Sequence, residues 1–358
     1  MKKTAAYQTI YQELVQKILE GQWRYGDLLP TEAALAREYG VSRITSRHAL
    51  ELLAENGYIR RVQGKGSVVV NEKRSIPMIG LALAGFDALF GMDFVRGVFC
   101  EAAERGYLVL MSTGYLTPEN EGSCLRRLKA AGVEGIISVP LYDSLHYSDE
   151  LEILPKEIPM VFADRRVLGV EVPLVCTDNT QSVKQLYHHL WNCGYRRIAF
   201  VSSPPDSTAV EDRLRGYLQS AAPGGEQDKR LLLTSLRSPL PGMDNEENRA
   251  FDIEQIEQFL LGNQDVEAVI AHTYKVALLV YATAERLGLR IPRDLAIVCF
   301  DAPRGVESET FAHISQNEYE IGAKSVQRLL DSVAGRSVPD TTYVSAVFVD
   351  GNSYIHGK

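Results

Sequence analysis

Arg43 and Arg47, four positions apart, are the side chains of this sequence best spaced to read another surface. At 100° per residue they share a helix face with Ile44, His48 and Glu51, while Ser46, Ala49, Leu50 and Leu53 gather on the opposite side. A guanidinium is a planar fork that bonds O6 and N7 of guanine together. Two forks one helical turn apart reach neighbouring base pairs, or one base and one phosphate. Each bidentate pair is worth about 1–3 kcal/mol of base discrimination. Ile44, apolar on the same outward face, suits a thymine methyl group. Lys65, between Gly64 and Gly66, puts a charge at a hairpin tip, where a phosphate or a narrow minor groove attracts it.

The elements that must hold these side chains surround them. Residues 30–69 read as two short helices, a turn, a longer helix and a glycine-tipped hairpin. Thr31 caps the first helix after Pro30, and Leu35 and Ala36 supply its inner face. Gly40 sits where a left-handed residue ends a helix, and Ser42 caps the longer one. Ahead of them, Tyr7, Ile10, Tyr11, Leu14, Val15 and Ile18 form a helical stripe that ends at Gly21, an extra helix to pack behind the reading unit. This is the build of a winged helix-turn-helix.

The segment resembles the N-terminal DNA-binding domain of the GntR family of bacterial transcription regulators. The likeness lies in Gly21 and Gly26, Leu29-Pro30-Thr31-Glu32, Leu35-Ala36, Gly40-Val41-Ser42-Arg43, Thr45, Arg47, Ala49-Leu50, Gly57 and Gly64-Lys65-Gly66-Ser67, and it covers about the first 70 residues. It implies Arg43, Thr45 and Arg47 at the major groove and the Gly64-Lys65-Gly66 tip in the adjacent minor groove. Thr31, Glu32 and Ile44 complete the expected DNA-contacting set. Many members carry Arg after the Pro-Ser/Thr-Glu run; Ala33 stands there here, so one contact of those relatives is missing.

Charge is divided to match. Residues 1–74 hold twelve Lys and Arg against eight Asp and Glu, a net of +4, which leaves −12 for the remainder of a chain whose total is −8. A basic head on an acidic body confines DNA contact to one end. The run Asn71 to Pro77 is polar, charged and closed by proline, which sets the expected organisation: domain 1–70, linker 71–77, domain 78–358. Five scattered cysteines, never in a C-x-x-C pair, imply reduced thiols without a zinc ribbon or disulfide framework. With no signal-peptide pattern at the start and no apolar run of spanning length, a cytoplasmic protein with no membrane partner is expected.

From Met78 the texture becomes apolar strands alternating with amphipathic helices. Ile79 to Leu83 is a run of the kind buried in a parallel sheet, and a helix over Val95 to Arg105 stops at Gly106 before Tyr107 to Leu110. Helix-glycine-strand punctuation recurs at Gly132, Gly194 and Gly288. The expected fold is therefore a small α+β winged helix-turn-helix followed by an α/β, doubly wound, parallel-sheet domain whose ligands sit at strand C-termini.

The order of these units resembles the two-lobed sugar-binding domain of the lactose/galactose repressor family, akin to periplasmic binding proteins. Matching stretches include Arg96-Gly97, Phe162-Ala163-Asp164-Arg165, Thr177-Asp178-Asn179, Gly194 to Ala199, Arg213 to Tyr217, Ile291 to Ala296, Phe300-Asp301 and Ile314-Ser315-Gln316, within residues 76 to 350. With a GntR-type head, the combination looks most like the arabinose-repressor group. The resemblance implies effector contacts from Asp164, Arg213 and Asp301. These types suit a sugar, since a carboxylate accepts from two neighbouring hydroxyls and a guanidinium donates to hydroxyl or ring oxygens. Phe86, Phe90, Tyr115, Tyr142 and Tyr274 are candidates to cover the apolar face of the ring. Thr273-Tyr274 and Asn317-Glu318 depart from the family pattern, and an acidic Glu318 near the cleft disfavours a phosphorylated or carboxylated sugar. A neutral sugar is the expected effector.

No Walker loop, G-x-S-x-G elbow, H-E-x-x-H helix or linked Cys-His pair appears, and His188-His189 are splayed apart on a helix. Catalytic residues, metal ligands and cofactors are thus not expected. The reading is a homodimeric regulator, more often a repressor, on pseudo-palindromic double-stranded operator DNA, because one winged helix reads only a few base pairs. The competing readings are a sugar-binding protein or an α/β enzyme with no DNA-regulatory role.

Overall fold

The stripe at the N-terminus forms α1 (Ala6–Leu19), followed by α2 (Glu32–Glu38), α3 (Arg43–Glu55), and a hairpin of β1 (Ile59–Val62) and β2 (Gly66–Val69). The computed structural model describes residues 6–19, 21–70, 77–83, 91–113, 117–141, 148–205, 207–221, 228–302 and 311–357. It divides into two units, Met1–Ile76 and Pro77–Lys358. The expected linker positions 71–76 lie outside the described residues, as do Phe86, Phe90, Tyr115 and Tyr142.

In the first unit both helix caps form. The Thr31 hydroxyl accepts from the Ala34 amide (3.3 Å) and the Ser42 hydroxyl from the Thr45 amide (3.2 Å). One short helix, not two, precedes the turn within residues 30–69, because Gly40 at φ 63° reverses the chain two residues after α2 ends. Helix α3 buries Ser46, Ala49, Leu50 and Leu53, the set its periodicity assigns to the inside. Those leucines meet Ile10, Leu14 and Ile18 of α1, Leu35 of α2, and Ile59 and Val69 of the hairpin. Buried Ser46 is satisfied by donating to the Glu32 carbonyl (2.8 Å), which ties α3 to α2. Truncating a fully buried leucine of such a core costs about 2–5 kcal/mol.

The second unit is built from β3 (Met78–Leu83), α4 (Met92–Glu104), β4 (Leu108–Thr113), α5 (Pro118–Ala130), β5 (Ile136–Val139), α6 (Glu150–Ile153), β6 (Met160–Ala163) and β7 (Leu174–Thr177). Then follow α7 (Asn179–Asn192), β8 (Ile198–Val201), α8 (Thr208–Ala221), β9 (Leu232–Leu233), α9 (Glu246–Gly262), β10 (Ala268–Ala271) and α10 (Tyr274–Arg286). The remainder comprises β11 (Ala296–Phe300), β12 (Ala312–Ser315), α11 (Glu318–Val333), β13 (Thr341–Val344) and β14 (Val347–Val349). The helix expected from Val95 begins at Met92, one turn earlier, after Gly91 in the left-handed region at φ 103°.

Two sheets result. The first runs β13-β7-β6-β5-β3-β4, all parallel; the second runs β14-β12-β11-β10-β8-β9, parallel except for β14. Alternation along β3 sends Ile79, Leu81 and Leu83 toward α4 and α11, and Ala82 toward α5. In the second sheet Val269, Ile297 and Cys299 face α9 and α10, whereas Ile270, Val298 and Phe300 face α7 and α8. Both faces are covered, which is why these strands read as unbroken apolar runs. Helices α4 and α11 approach so closely that a Cβ on Gly97 would overlap the Tyr319 carbonyl, and one on Gly322 the Phe94 carbonyl.

The chain passes between the sheets after β7, after β12, and again between β13 and β14. Each lobe therefore contains segments from distant parts of the sequence, and the C-terminal ends of both sets of parallel strands border one cleft.

Candidate functional site

A concavity of about 950 Å³ in the first unit lies between α3 and the hairpin. Arg43, Arg47, Arg61 and Lys65 bring positive charge to its wall, together with Thr31, Glu32 and Gly66. Arg43 is exposed, and its guanidinium makes no ion pair or hydrogen bond among the described residues. Arg47 is engaged: its Nε and Nη2 donate to the Glu32 carboxylate (3.2 and 3.1 Å), which also accepts from Arg61 Nη2 (2.9 Å). The Arg47 hydrogen bonds, reinforced by Arg61, hold the Glu32 carboxyl below its ordinary range, so it is an anion at neutral pH. Glu32 thus sets the spacing of two arginines on one wall.

Ile44 is 77% exposed and free to meet an apolar group. Thr45 is committed locally, its hydroxyl 2.8 Å from that of Ser42 within the helix cap. Lys65 and Gly66 occupy the hairpin tip, where Gly64 (φ 78°) and Gly66 (φ 108°) adopt a turn closed to other residues. Neither Ile44 nor Thr45 lines the concavity, whereas Thr31, Glu32, Arg43, Arg47, Lys65 and Gly66 do. Arg61 belongs there too and was missed. Its signal is the Arg60-Arg61 pair one turn before the glycines: alternation on a strand must turn one of two adjacent residues toward α3.

In the second unit Asp164, Arg213 and Asp301 line one cavity of about 260 Å³. Asp164 follows β6 of the first sheet and Asp301 follows β11 of the second, at equivalent places. Each amide still pairs across its sheet, Asp164 N to Val175 O and Asp301 N to Ile314 O (both 2.9 Å). Each then turns left-handed, at φ 66° and 59°, and they are the only non-glycine residues with positive φ among the described residues. Strain of this kind costs on the order of 1 kcal/mol and collects where a side chain must be aimed.

Arg213, on α8, is 5% exposed. Its Nε donates to Asn179 Oδ1 (2.8 Å), its Nη1 to the His272 carbonyl (2.6 Å), and the guanidinium lies 3.9 Å over the Phe300 ring. Burial lowers its pKa, and the Asp301 and Asp164 charges oppose that shift. Among the described residues Nη2 makes no hydrogen bond. Asp301 accepts from Gln316 Nε2 (3.0 Å); burial raises its pKa, against which Arg213 and Gln316 act. Asp164 pairs with Arg165 (Nη2 to Oδ2, 3.0 Å). His272 is pushed down to about 3 by burial and by Arg213, so its ring is neutral, with Nε2 3.4 Å from the Ser203 hydroxyl.

Tyr274 takes a different place. It opens α10 beside the cleft, but its ring is only 6% exposed and packs edge-on to Phe311 in the core of the second lobe. A large apolar ring at a helix start gains more from that core than from a polar cavity. Among the described residues the apolar lining of the cavity comes from Ala209, Val210, Pro239 and Pro241. Asn179, His272 and Gln316 were absent from the expected site, though all three follow strand ends.

Glu318 begins α11, and its carboxylate accepts from the Gly91 amide (2.9 Å) at the start of α4. Among the described residues no group of three or more His, Cys, Asp or Glu side chains is arranged to hold a metal ion. The five cysteines are free thiols. No helix of the described residues is long and apolar enough to cross a membrane.

Known proteins agree with both halves. Residues 6–69 match the family described as bacterial regulatory proteins, gntR family, and residues 187–354 match the periplasmic binding protein-like domain. The arabinose metabolism transcriptional repressor of Geobacillus stearothermophilus is 26% identical over 351 residues, covering 94% of this chain and 93% of the relative. The HTH-type transcriptional regulator TreR of Bacillus subtilis is 48% identical over 80 residues, 22% of this chain and 34% of the relative. A solved complex of the transcriptional regulator CelR with cellobiose shares the fold, with a TM-score of 0.64 at 22% identity over 91% of this chain and 100% of that one. The chain thus joins a GntR-type winged helix-turn-helix domain to a two-lobed, periplasmic-binding-protein-like domain, and it is similar along 94% of its length to a transcriptional repressor.

Proposed function

We propose that the protein is a cytoplasmic, non-catalytic repressor that binds a pseudo-palindromic operator as a homodimer and is controlled by a neutral sugar held between its lobes. The observation that carries this reading is the second cavity. Two carboxylates from opposite sheets and one guanidinium converge there, each set by neighbours before any ligand arrives. Such a set offers acceptors and a donor to the hydroxyls of a polyol, and its two carboxylates repel a phosphate or carboxylate. The relatives named for arabinose metabolism and solved with cellobiose support a sugar as the class of effector.

In the head, Arg43 and Arg47 read bases in the major groove, with Thr31, Glu32, Ile44 and Thr45 along the same edge. Lys65 and Gly66 follow the backbone into the minor groove. Effector binding biases the lobes, and the lobes bias the placement of two heads. The test is a mobility-shift titration of the full chain on palindromes it selects from random DNA, with and without L-arabinose, D-ribose, D-galactose and cellobiose. Selection of a palindrome whose retention one of these sugars alters is the expected result. A chain that selects no sequence, or whose complex none of them alters, refutes the reading.

A further inference from the structure

One wall of the cleft cavity is a turn with no catalytic or charged group in it. Of the apolar residues that line the cavity, Ala209 and Val210 belong to α8, whereas Pro239 and Pro241 belong to segment 234–245 between β9 and α9. That segment is anchored on both sides. Leu236 is buried in the core of the second lobe and its amide donates to the Ser202 carbonyl (3.3 Å), while Asn248 Nδ2 donates to the Met243 carbonyl (2.8 Å). Between these anchors stands a fully buried acid. Asp252, on α9, accepts from the Arg237 amide through Oδ1 (2.7 Å) and from the Ser238 amide through Oδ2 (2.8 Å), the two residues immediately before Pro239. Arg237 in turn lays its guanidinium over the ring of Phe251, the neighbour of Asp252, at 3.6 Å.

We propose that this turn, with Asp252 as its positioning residue, is the specificity wall of the effector site and restricts it to a single sugar ring, a monosaccharide. The inference rests on the cleft being the effector site. Burying a carboxylate is costly unless hydrogen bonds offset the loss of water, and here both oxygens are engaged by backbone amides of one turn. Those charge-assisted bonds fix the turn. Each proline ring presets its own φ and removes an amide donor, so the wall neither bends readily nor offers a hydrogen bond. Such a surface accepts the C–H face of a sugar ring, while Asp164, Arg213 and Asp301 on the same cavity take the hydroxyls. A stereoisomer that turns a hydroxyl onto the prolines leaves it unpaired and binds about ten- to a hundredfold more weakly. The cavity, about 260 Å³, lies below the roughly 300–1,000 Å³ of sites for drug-sized ligands, so a second ring needs room that a fixed turn does not yield.

The experiment titrates the full chain by calorimetry with L-arabinose, D-ribose, D-galactose and cellobiose. One of the three monosaccharides is expected to bind best, with cellobiose at least about tenfold weaker. Asp252→Ala removes both amide acceptors, and Pro239→Ala combined with Pro241→Ala removes the rings while leaving Asp252 in place. In each variant the ratio of affinities between the best monosaccharide and the next is expected to shrink by about three- to tenfold. That ratio is read within one preparation, so a loss of folded protein cancels from it, and a merely structural role for Asp252 leaves it unchanged. Where Asp252→Ala yields no folded protein, the proline pair carries the test. Because Asp252 acts through the prolines, adding Asp252→Ala to that pair should change the ratio no further. Cellobiose binding as tightly as the best monosaccharide, or a parental ratio in either folded variant, overturns the inference while leaving the effector site standing. Failure of all four sugars to bind the parent overturns the effector reading and this inference with it.

Discussion

Glu318 offers a contest between two physical effects whose outcome can be measured. Its carboxylate lies at the N-termini of α4 and α11, where helix dipoles and the Gly91 and Phe94 amides favour the anion. Burial opposes ionisation, Asp301 and Asp164 add to that opposition, and together they raise the group from 4.5 to about 7. The folded chain thus holds a proton that the unfolded chain has released between about pH 4.5 and 7. Stability falls as pH rises through that window, and the full cost is present above pH 7. At about 1.4 kcal/mol per pH unit the ceiling is ~3 kcal/mol, which screening by solvent at this partly open position reduces to about 1–2 kcal/mol. Glu318→Gln keeps an acceptor for Gly91 and cannot ionise. Scanning calorimetry on parent and variant at pH 5 and pH 8 should find the larger unit melting alike at pH 5 and a few degrees higher in the variant at pH 8. A variant that melts lower at pH 8 would mean that the dipoles win and that the carboxylate is a conventional stabilising cap.

Other expectations follow from single contacts. Arg43→Ala and Arg47→Ala should each weaken the selected operator roughly five- to 150-fold and relax base choice, with the larger loss for Arg43, which gives up no internal ion pair on binding. Lys65→Ala should weaken operator and random DNA alike and lower the salt slope by about one, read by fluorescence anisotropy across a salt series. Gly97→Ala or Gly322→Ala should force α4 from α11 and destabilise the larger unit by about 1–3 kcal/mol in urea unfolding, without altering the melting of the head.

The sequence carried the local part of this architecture and lost the part made by distant encounters. Ser46, Ala49, Leu50 and Leu53 could be assigned to the inside of α3 from a period of 3.6, and the βα punctuation located strand ends because glycine stops helices. Asp164 and Asp301 stand at such ends, and the resemblance drew attention to them. What periodicity could not supply is partnership. Asn179 meets Arg213 across 34 positions and Gln316 meets Asp301 across 15, and no repeat of side-chain types encodes either pair. Glu32 looked like a DNA contact, yet its double link to Arg47 and Arg61 depends on how the hairpin folds over α3. Tyr274 stands beside the cleft with its ring packed against Phe311, and position along the chain does not fix which way a ring turns. The short strands β13 and β14 escaped notice because each is an edge strand, partly exposed and without an apolar run.

The central claim is that cleft and head are thermodynamically linked, and linkage must be reciprocal. Titration calorimetry of the full chain with the sugar that binds it best, in the presence and absence of saturating selected operator, measures that link directly. The account predicts that operator changes sugar affinity about five- to 150-fold, by the same factor and in the same sense as sugar changes operator affinity. It also predicts that Arg213→Ala abolishes the sugar response while leaving sugar-free operator binding intact. Equal sugar affinity with and without operator, in a chain that binds both, would contradict it.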